Sequence, residues 1–158
     1  MGTLAMISAM ELRMVPFDAP DAVKLIAEVQ QEYVERYGGP DTTPVDPAEF
    51  APPQGIFLVG YLDGAPVACG GWRVHGDEAE IKRMYVAASA RGNGFARALL
   101  AELERTAAEA GLARVRLETG QKQPEAIALY ESSGYHRIPG FGIYRDEPDC
   151  VCFAKHLA

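Results

Sequence analysis

Apolar and polar positions alternate most regularly between Glu78 and Val86. A strand period of two sets Glu80, Lys82, Met84 and Val86 on one face there, and Ile81, Arg83 and Tyr85 on the other. Two more strands precede this one as a hairpin. Gly55–Leu62 and Pro66–Val74 flank Asp63-Gly64, a tight-turn pair, and His75-Gly76-Asp77 turns the chain again. A further strand is predicted over Glu11–Phe17. Helical spacing appears in three places. From Ala22 to Tyr37 it is carried by Val23, Ile26, Ala27, Val34 and Tyr37, and Gly38-Gly39-Pro40 stops it. From about Gly94 to Ala110, Phe95, Leu99, Leu103 and Ala107 recur every four residues, widened by Ala96, Leu100 and Ala110 and ended by Gly111. The third helix opens at Pro124, carries Ala126, Ile127, Leu129 and Tyr130, and ends at Gly134. Arg114–Thr119, Tyr135–Ile138 and Cys150–Lys155 complete the strands. The stretch Gly38–Gly55 holds Pro40, Pro44, Pro47, Pro52 and Pro53, and reads as a long loop with at most a short helical turn.

The order is β-α-loop-β-β-β-α-β-α-β-β, a mixed α/β domain. A length of 158 residues suits one domain over 1–158, with residues 1–9 expected as a weakly ordered extension. The 48% hydrophobic content supports a core, and the net charge of −7 argues against a generic nucleic-acid binder. No apolar run approaches the ~18 residues of a membrane span, and the N-terminus lacks the basic region of a secretory signal. The expected location is cytoplasmic. Cys69, Cys150 and Cys152 are too few for a disulfide framework, and His75, His136 and His156 are scattered. Reduced thiols and no metal are expected, with Cys150 and Cys152 on one face of a strand.

The chemistry concentrates where the Glu78–Val86 strand runs through a turn into the second helix. Arg91-Gly92-Asn93-Gly94-Phe95-Ala96 occupies that junction. A helix start presents unpaired N–H groups and a partial positive charge, which suits an anion. Gly92 and Gly94 let the backbone approach a diphosphate, and Arg91 adds a fixed charge. A plain connecting turn is the bland alternative. A dinucleotide fold is disfavoured, because the third glycine of G-x-G-x-x-G is missing, and no G-K-[ST] marks a P-loop.

E-I-K-R-M-Y-V followed by R-G-N-G-F-A resembles the acetyl-CoA-binding motif of the GNAT superfamily, usually Gln/Arg-x-x-Gly-x-Gly/Ala. Arg91, Gly94 and Ala96 satisfy that form. Q-P-E-A-I-A-L-Y-E-S-S-G-Y resembles the later family segment N-x-x-A-x-x-L-Y-x-x-x-G-F/Y, with Gln123 where Asn is commoner. The resemblance implies a mixed central sheet flanked by helices and acetyl-CoA as acyl donor. It also implies a small-molecule or peptide amine as acceptor and, since the family often dimerises, a homodimer. It places the pantetheine arm along Met84, Tyr85 and Val86, whose backbone amides would also polarise the thioester carbonyl. Arg91–Ala96 would hold the diphosphate and Gln123 the pantetheine or ribose side. Tyr130 would protonate the departing thiolate, and Glu80 would be the general base, with Glu118 and Glu78 as weaker alternatives. Trp72, Tyr33, Tyr37 and Phe141 are candidate acceptor-pocket aromatics, each with a core or rim role as the alternative. The loops Gly38–Gly55 and Pro139–Asp149 would bound the acceptor. A non-catalytic acyl-CoA sensor on the same fold is the rival reading.

Overall fold

The structure, a computed structural model, describes residues 9–157. Residues 1–8 of the expected extension lie outside the described residues. One sheet contains seven strands in the order β1-β2-β3-β4-β5-β7-β6. In chain order the elements are β1 (Glu11–Met14), α1 (Pro20–Tyr37), β2 (Gly55–Leu62), β3 (Ala65–His75), β4 (Glu78–Val86), α2 (Phe95–Glu109), β5 (Arg114–Gly120), α3 (Pro124–Ser132), β6 (His136–Ile138) and β7 (Cys150–His156). All pairs are antiparallel except β4 with β5.

Helix starts and stops follow local chemistry. α1 begins two residues before the expected Ala22, because Pro20 carries no amide hydrogen and its fixed φ suits the first turn. It ends at Gly38, whose N–H caps Val34 O. Strand β1 is shorter than expected: Val15 N still bonds Phe57 O, and Pro16 then has no donor to continue. The proline-rich loop contributes one short 3-10 turn, Pro47–Phe50, closed by the reciprocal Asp46 and Glu49 capping bonds.

Two apolar clusters sandwich the sheet. One gathers Leu99, Leu100, Leu103 and Ala107 of α2 with Ile56, Trp72, Ile81, Leu117 and Tyr130. The other lies under α1 and joins Ala22 and Leu25 to Phe50, Phe57 and Cys69. The α2 stripe is as the periodicity predicts from Leu99 to Ala107, but Ala110, expected to widen it, is exposed as the C-cap just past the last turn. The α1 stripe is not as predicted: Ala22, Leu25 and Val29 are buried, while Val23, Ala27 and Val34 face solvent. Helical spacing fits two phases of this segment, and packing against Phe57 and Cys69 selects one.

The strict alternation expected of β4 also fails. Cys69 pairs with Tyr85 but Gly71 with Lys82, so Gly70 alone stands opposite both Arg83 and Met84. This is a β-bulge, and Arg83 occupies it at φ +61°, a costly angle for a non-glycine residue. Past the bulge the faces exchange. Met84 and Val86 join Ile81 on the α2 side, and Tyr85 packs on the α1 side.

Close packing beside the bulge yields a stability prediction. A Cβ on Gly71 would lie 2.5 Å from Ile56 O and 2.6 Å from a Phe57 ring carbon. Gly71→Ala is expected to lower the unfolding free energy by about 1–3 kcal/mol, as overpacked cores do. Urea denaturation of the two proteins measures it, and an unchanged midpoint contradicts the packing described.

Candidate active site

β4 and β5 are hydrogen-bonded neighbours only from Glu78–Arg114 to Glu80–Arg116. Beyond that point β5 continues against β7 to Gly120, while β4 stays with β3 to Val86. The strands therefore part, and among the described residues no strand covers that edge of β4. A cleft of about 430 Å³ opens in the wedge. Its walls are β4 from Ile81 to Met84, β5 from Glu118 to Gly120, and α3 at Gln123, Ala126 and Tyr130. Tyr33 and Tyr37 of α1 line it too, with Asp41 and, from the loop before β7, Tyr144. The two loops expected to flank an acceptor meet there: the Tyr144 hydroxyl accepts from Thr42 N at 2.7 Å.

Tyr130 is 7% exposed, and its ring packs between Tyr135 and Phe153. Its hydroxyl points to Met84 Sδ at 3.8 Å, a weak acceptor and its only hydrogen-bond partner among the described residues. Burial pushes the phenol well above its ordinary value, so it stays protonated at neutral pH.

Glu80 is not part of the lining. It is buried, and Oε1 accepts from Arg73 Nε at 3.2 Å. That arginine is also bonded to Pro44 O and Glu49. Glu78 is engaged by Arg114 and Arg116. Of the three glutamates expected as bases, Glu118 lines the cleft; it has no ion-pair partner among the described residues and accepts from Cys150 Sγ at 3.6 Å. Its burial raises the carboxyl pKa above the ordinary value; nearby Lys82 opposes that and Asp41 adds to it. Position in the sheet marks Glu118 out: it lies two residues past Arg116, where pairing with β4 stops.

Beyond the cleft, Gly92 and Gly94 both adopt left-handed φ, +82° and +78°, and a Cβ on either would meet no atom. Gly94 is the N-cap of α2, and no side chain caps the helix. Its first amides thus face outward over a loop that offers the close backbone approach a diphosphate needs. Asn93 Nδ2 bonds Ala90 O at 3.0 Å and braces the turn. Phe95 and Ala96 start the helix. Arg91 Nε donates to Val86 O, and Nη2 pairs with Glu32 at 3.1 Å.

Other expected residues are placed as follows. Gln123 Oε1 accepts from the Tyr37 hydroxyl at 3.0 Å and so ties α3 to α1. Tyr85 donates to Glu28 on the α1 side. Trp72 lies in the core, bonded to Thr106, and Phe141 sits under Arg116; neither lines the cleft. Cys150 and Cys152 share a face with sulfurs 3.7 Å apart, and their donor atoms and that of Glu118 lie within 4.8 Å of one another. Burial and the neighbouring Cys152 push the Cys150 thiol up to about 12, so it is not a nucleophile at neutral pH. Among the described residues no helix is long and apolar enough to cross a membrane.

Comparison with known proteins agrees with this architecture. Residues 26–135 match the Acetyltransferase (GNAT) family. An IAA acetyltransferase of Azospirillum brasilense is 36% identical over 137 residues, covering 85% of this chain and 90% of the relative. A Klebsiella pneumoniae protein assigned as an acyl-CoA N-acyltransferase superposes with a TM-score of 0.80 at 28% identity, over 94% of this chain and 98% of its own. The PaiA N-acetyltransferase of Thermoplasma acidophilum, solved with coenzyme A, shares the fold at a TM-score of 0.69 and 13% identity, over 94% and 99% of the two chains. The parted β4 and β5, the glycine turn before α2 and the match over residues 26–135 converge, and the chain belongs to the GNAT family of acetyltransferases.

Proposed function

We propose that this protein transfers an acetyl group from acetyl-CoA to a primary amine by direct attack in a ternary complex. The observation that carries the reading is the cleft between β4 and β5, which brings to one space a half-buried carboxylate without an ion-pair partner among the described residues, Glu118, and a buried phenol, Tyr130. Bound acetyl-CoA supplies an activated thioester. The amides at the start of α2, with Gly92, Asn93 and Gly94, suit its diphosphate, and Arg91, paired with Glu32, adds positive charge beside them. The free edge of β4 at Met84 and Val86, on either side of Tyr85, offers backbone groups to the pantetheine amides and an N–H to the thioester oxygen. Gln123 closes the α3 side through Tyr37.

Glu118, in place of Glu80, takes the proton of the incoming ammonium, directly or through one water. It faces the cleft without an ion-pair partner among the described residues, and desolvation makes it a stronger base than an exposed glutamate. The neutral amine attacks the carbonyl carbon, the C–S bond breaks, and Tyr130 donates its proton to the leaving sulfur. No cysteine is acylated.

Tyr130→Phe removes the proton donor and leaves the ring packing intact. It is expected to lower kcat about 100-fold or more, with the dissociation constant for acetyl-CoA changed by less than about threefold. Steady-state thiol release and a binding titration separate the two. Equal losses in both quantities would take Tyr130 out of the acid role.

A base must be deprotonated to work, so activity falls as pH drops through the Glu118 pKa. Because that pKa is raised, the acid limb of kcat/KM lies above the ordinary glutamate value of about 4.3. Glu118→Gln is expected to abolish this limb and cut kcat/KM about 100-fold, leaving only the limb of the acceptor amine. Glu80→Gln is expected to keep the limb. The reverse pattern in pH–rate profiles would return the base role to Glu80.

A further inference from the structure

The α1-side wall of the cleft contains more buried positive charge than the one carboxylate bonded to it neutralises. Lys82 and Arg83 both line the cleft, and both side chains are nearly buried, at 6% and 3% exposure. The bulge that places Arg83 at φ +61° turns it to the same side as Lys82. One carboxylate serves both: Asp41 Oδ2 accepts from Lys82 Nζ at 2.8 Å and from Arg83 Nη1 at 2.6 Å. Asp41 has nothing more to give. Its Oδ1 accepts from Thr43 N, and its backbone is held on both sides by the Gln30 amide. Arg83 carries five donors in a planar fork, yet the Asp41 bond is its guanidinium's only hydrogen bond among the described residues, and its buried Nε has no partner.

Two buried cations share one hydrogen-bonded carboxylate, and the guanidinium keeps an unsatisfied buried donor, a costly arrangement unless a ligand completes it. The acidic groups facing the same space are Glu118, Glu147 and Asp149. Glu118 is the base of the reaction and stands near the amine. The cleft is thus polarised, with cations on β4 under Asp41 and acids on β5 and the loop before β7. We propose that Lys82 and Arg83 form a carboxylate subsite on the acceptor side, and that the acceptor is a small amine bearing its own carboxylate, an amino acid. The unsatisfied guanidinium fork beside a buried ammonium matches the two oxygens of a carboxylate. The diphosphate of acetyl-CoA is not the anion concerned, because its cradle lies past Val86 at the start of α2. The subsite rests on the acyl-transfer reading above and adds the acceptor class.

Thiol release from acetyl-CoA is measured with the twenty amino acids, each as free acid, carboxamide and decarboxylated amine. The best acceptor is expected to be a free acid, preferred about 10- to 100-fold in kcat/KM over its carboxamide and its decarboxylated amine, as a charge-assisted bond requires. Arg83→Gln and Lys82→Met should each remove most of that preference by raising KM for the free acid about tenfold. Affinity for acetyl-CoA should stay unchanged, which also shows that the variants are folded. Equal use of acid, amide and decarboxylated amine, with brisk turnover, would overturn the subsite and leave acetyl transfer standing. Retention of the preference in both folded variants would overturn it as well. Acetyl-CoA binding with no turnover on any amine would overturn the acyl-transfer reading, and the subsite with it.

Discussion

Everything at the cleft depends on the refusal of β4 to remain a regular strand. Gly70 faces two residues instead of one, and Arg83 takes the left-handed angle that this requires. The consequences are geometric. Lys82 and Arg83 come to the same side, where one aspartate can hold both. Met84 turns toward Tyr130 on the opposite side. Beyond Glu80, the far edge of β4 is no longer paired, and β5 is left to β7. A bulge both bends a strand and raises its twist, so the divergence of β4 from β5 and the exchange of faces have one origin.

That distortion is held by contacts on both faces of the sheet. On the α1 side, the Gly38–Gly55 loop is fastened by Arg73, which reaches Glu80, Pro44 O and Glu49. Gln30 clamps Asp41 from the helix, and Tyr144 meets Thr42 from the opposite loop. Burial alone would raise the Asp41 carboxyl pKa, but Lys82 and the Thr43 bonds outweigh it and hold it well below the ordinary carboxylate range. Asp41 is therefore a carboxylate at neutral pH. On the other side, Tyr130 is kept dry by Tyr135 and Phe153, and its hydroxyl finds only a sulfur. A phenol without a strong partner is free to bond a ligand atom.

Element order, the α2 stripe and the glycine turn were legible in the sequence, because each is set by local spacing or by backbone angles that glycine favours. Tyr130 was legible through a motif. What escaped is non-local. Two phases of α1 satisfy helical spacing, and only the packed partners on β2 and β3 decide between them. The alternation of β4 gives no hint of a bulge, since Lys82, Arg83 and Met84 read as ordinary strand residues. Glu80 and Glu118 are both glutamates on neighbouring strands, and which of them faces the cleft follows from where β4 and β5 cease to pair and from Arg73 lying across from Glu80. Asp41 sits in a proline-rich loop whose path no period describes.

The most direct test of the central claim, that the parted strands hold the thioester end of acetyl-CoA, is a thermal melt with and without that ligand. A ligand bound only by the folded state stabilises it by about 2.7 kcal/mol at a hundred times its dissociation constant. Ala126 lines the cleft on α3, and Ala126→Trp fills the space while leaving the turn before α2 untouched. The account predicts a saturable upward shift for the native protein with acetyl-CoA, none with NADH or ATP, and little or none for the Ala126→Trp protein. No shift in the native protein, or an equal shift in the filled variant, would contradict it.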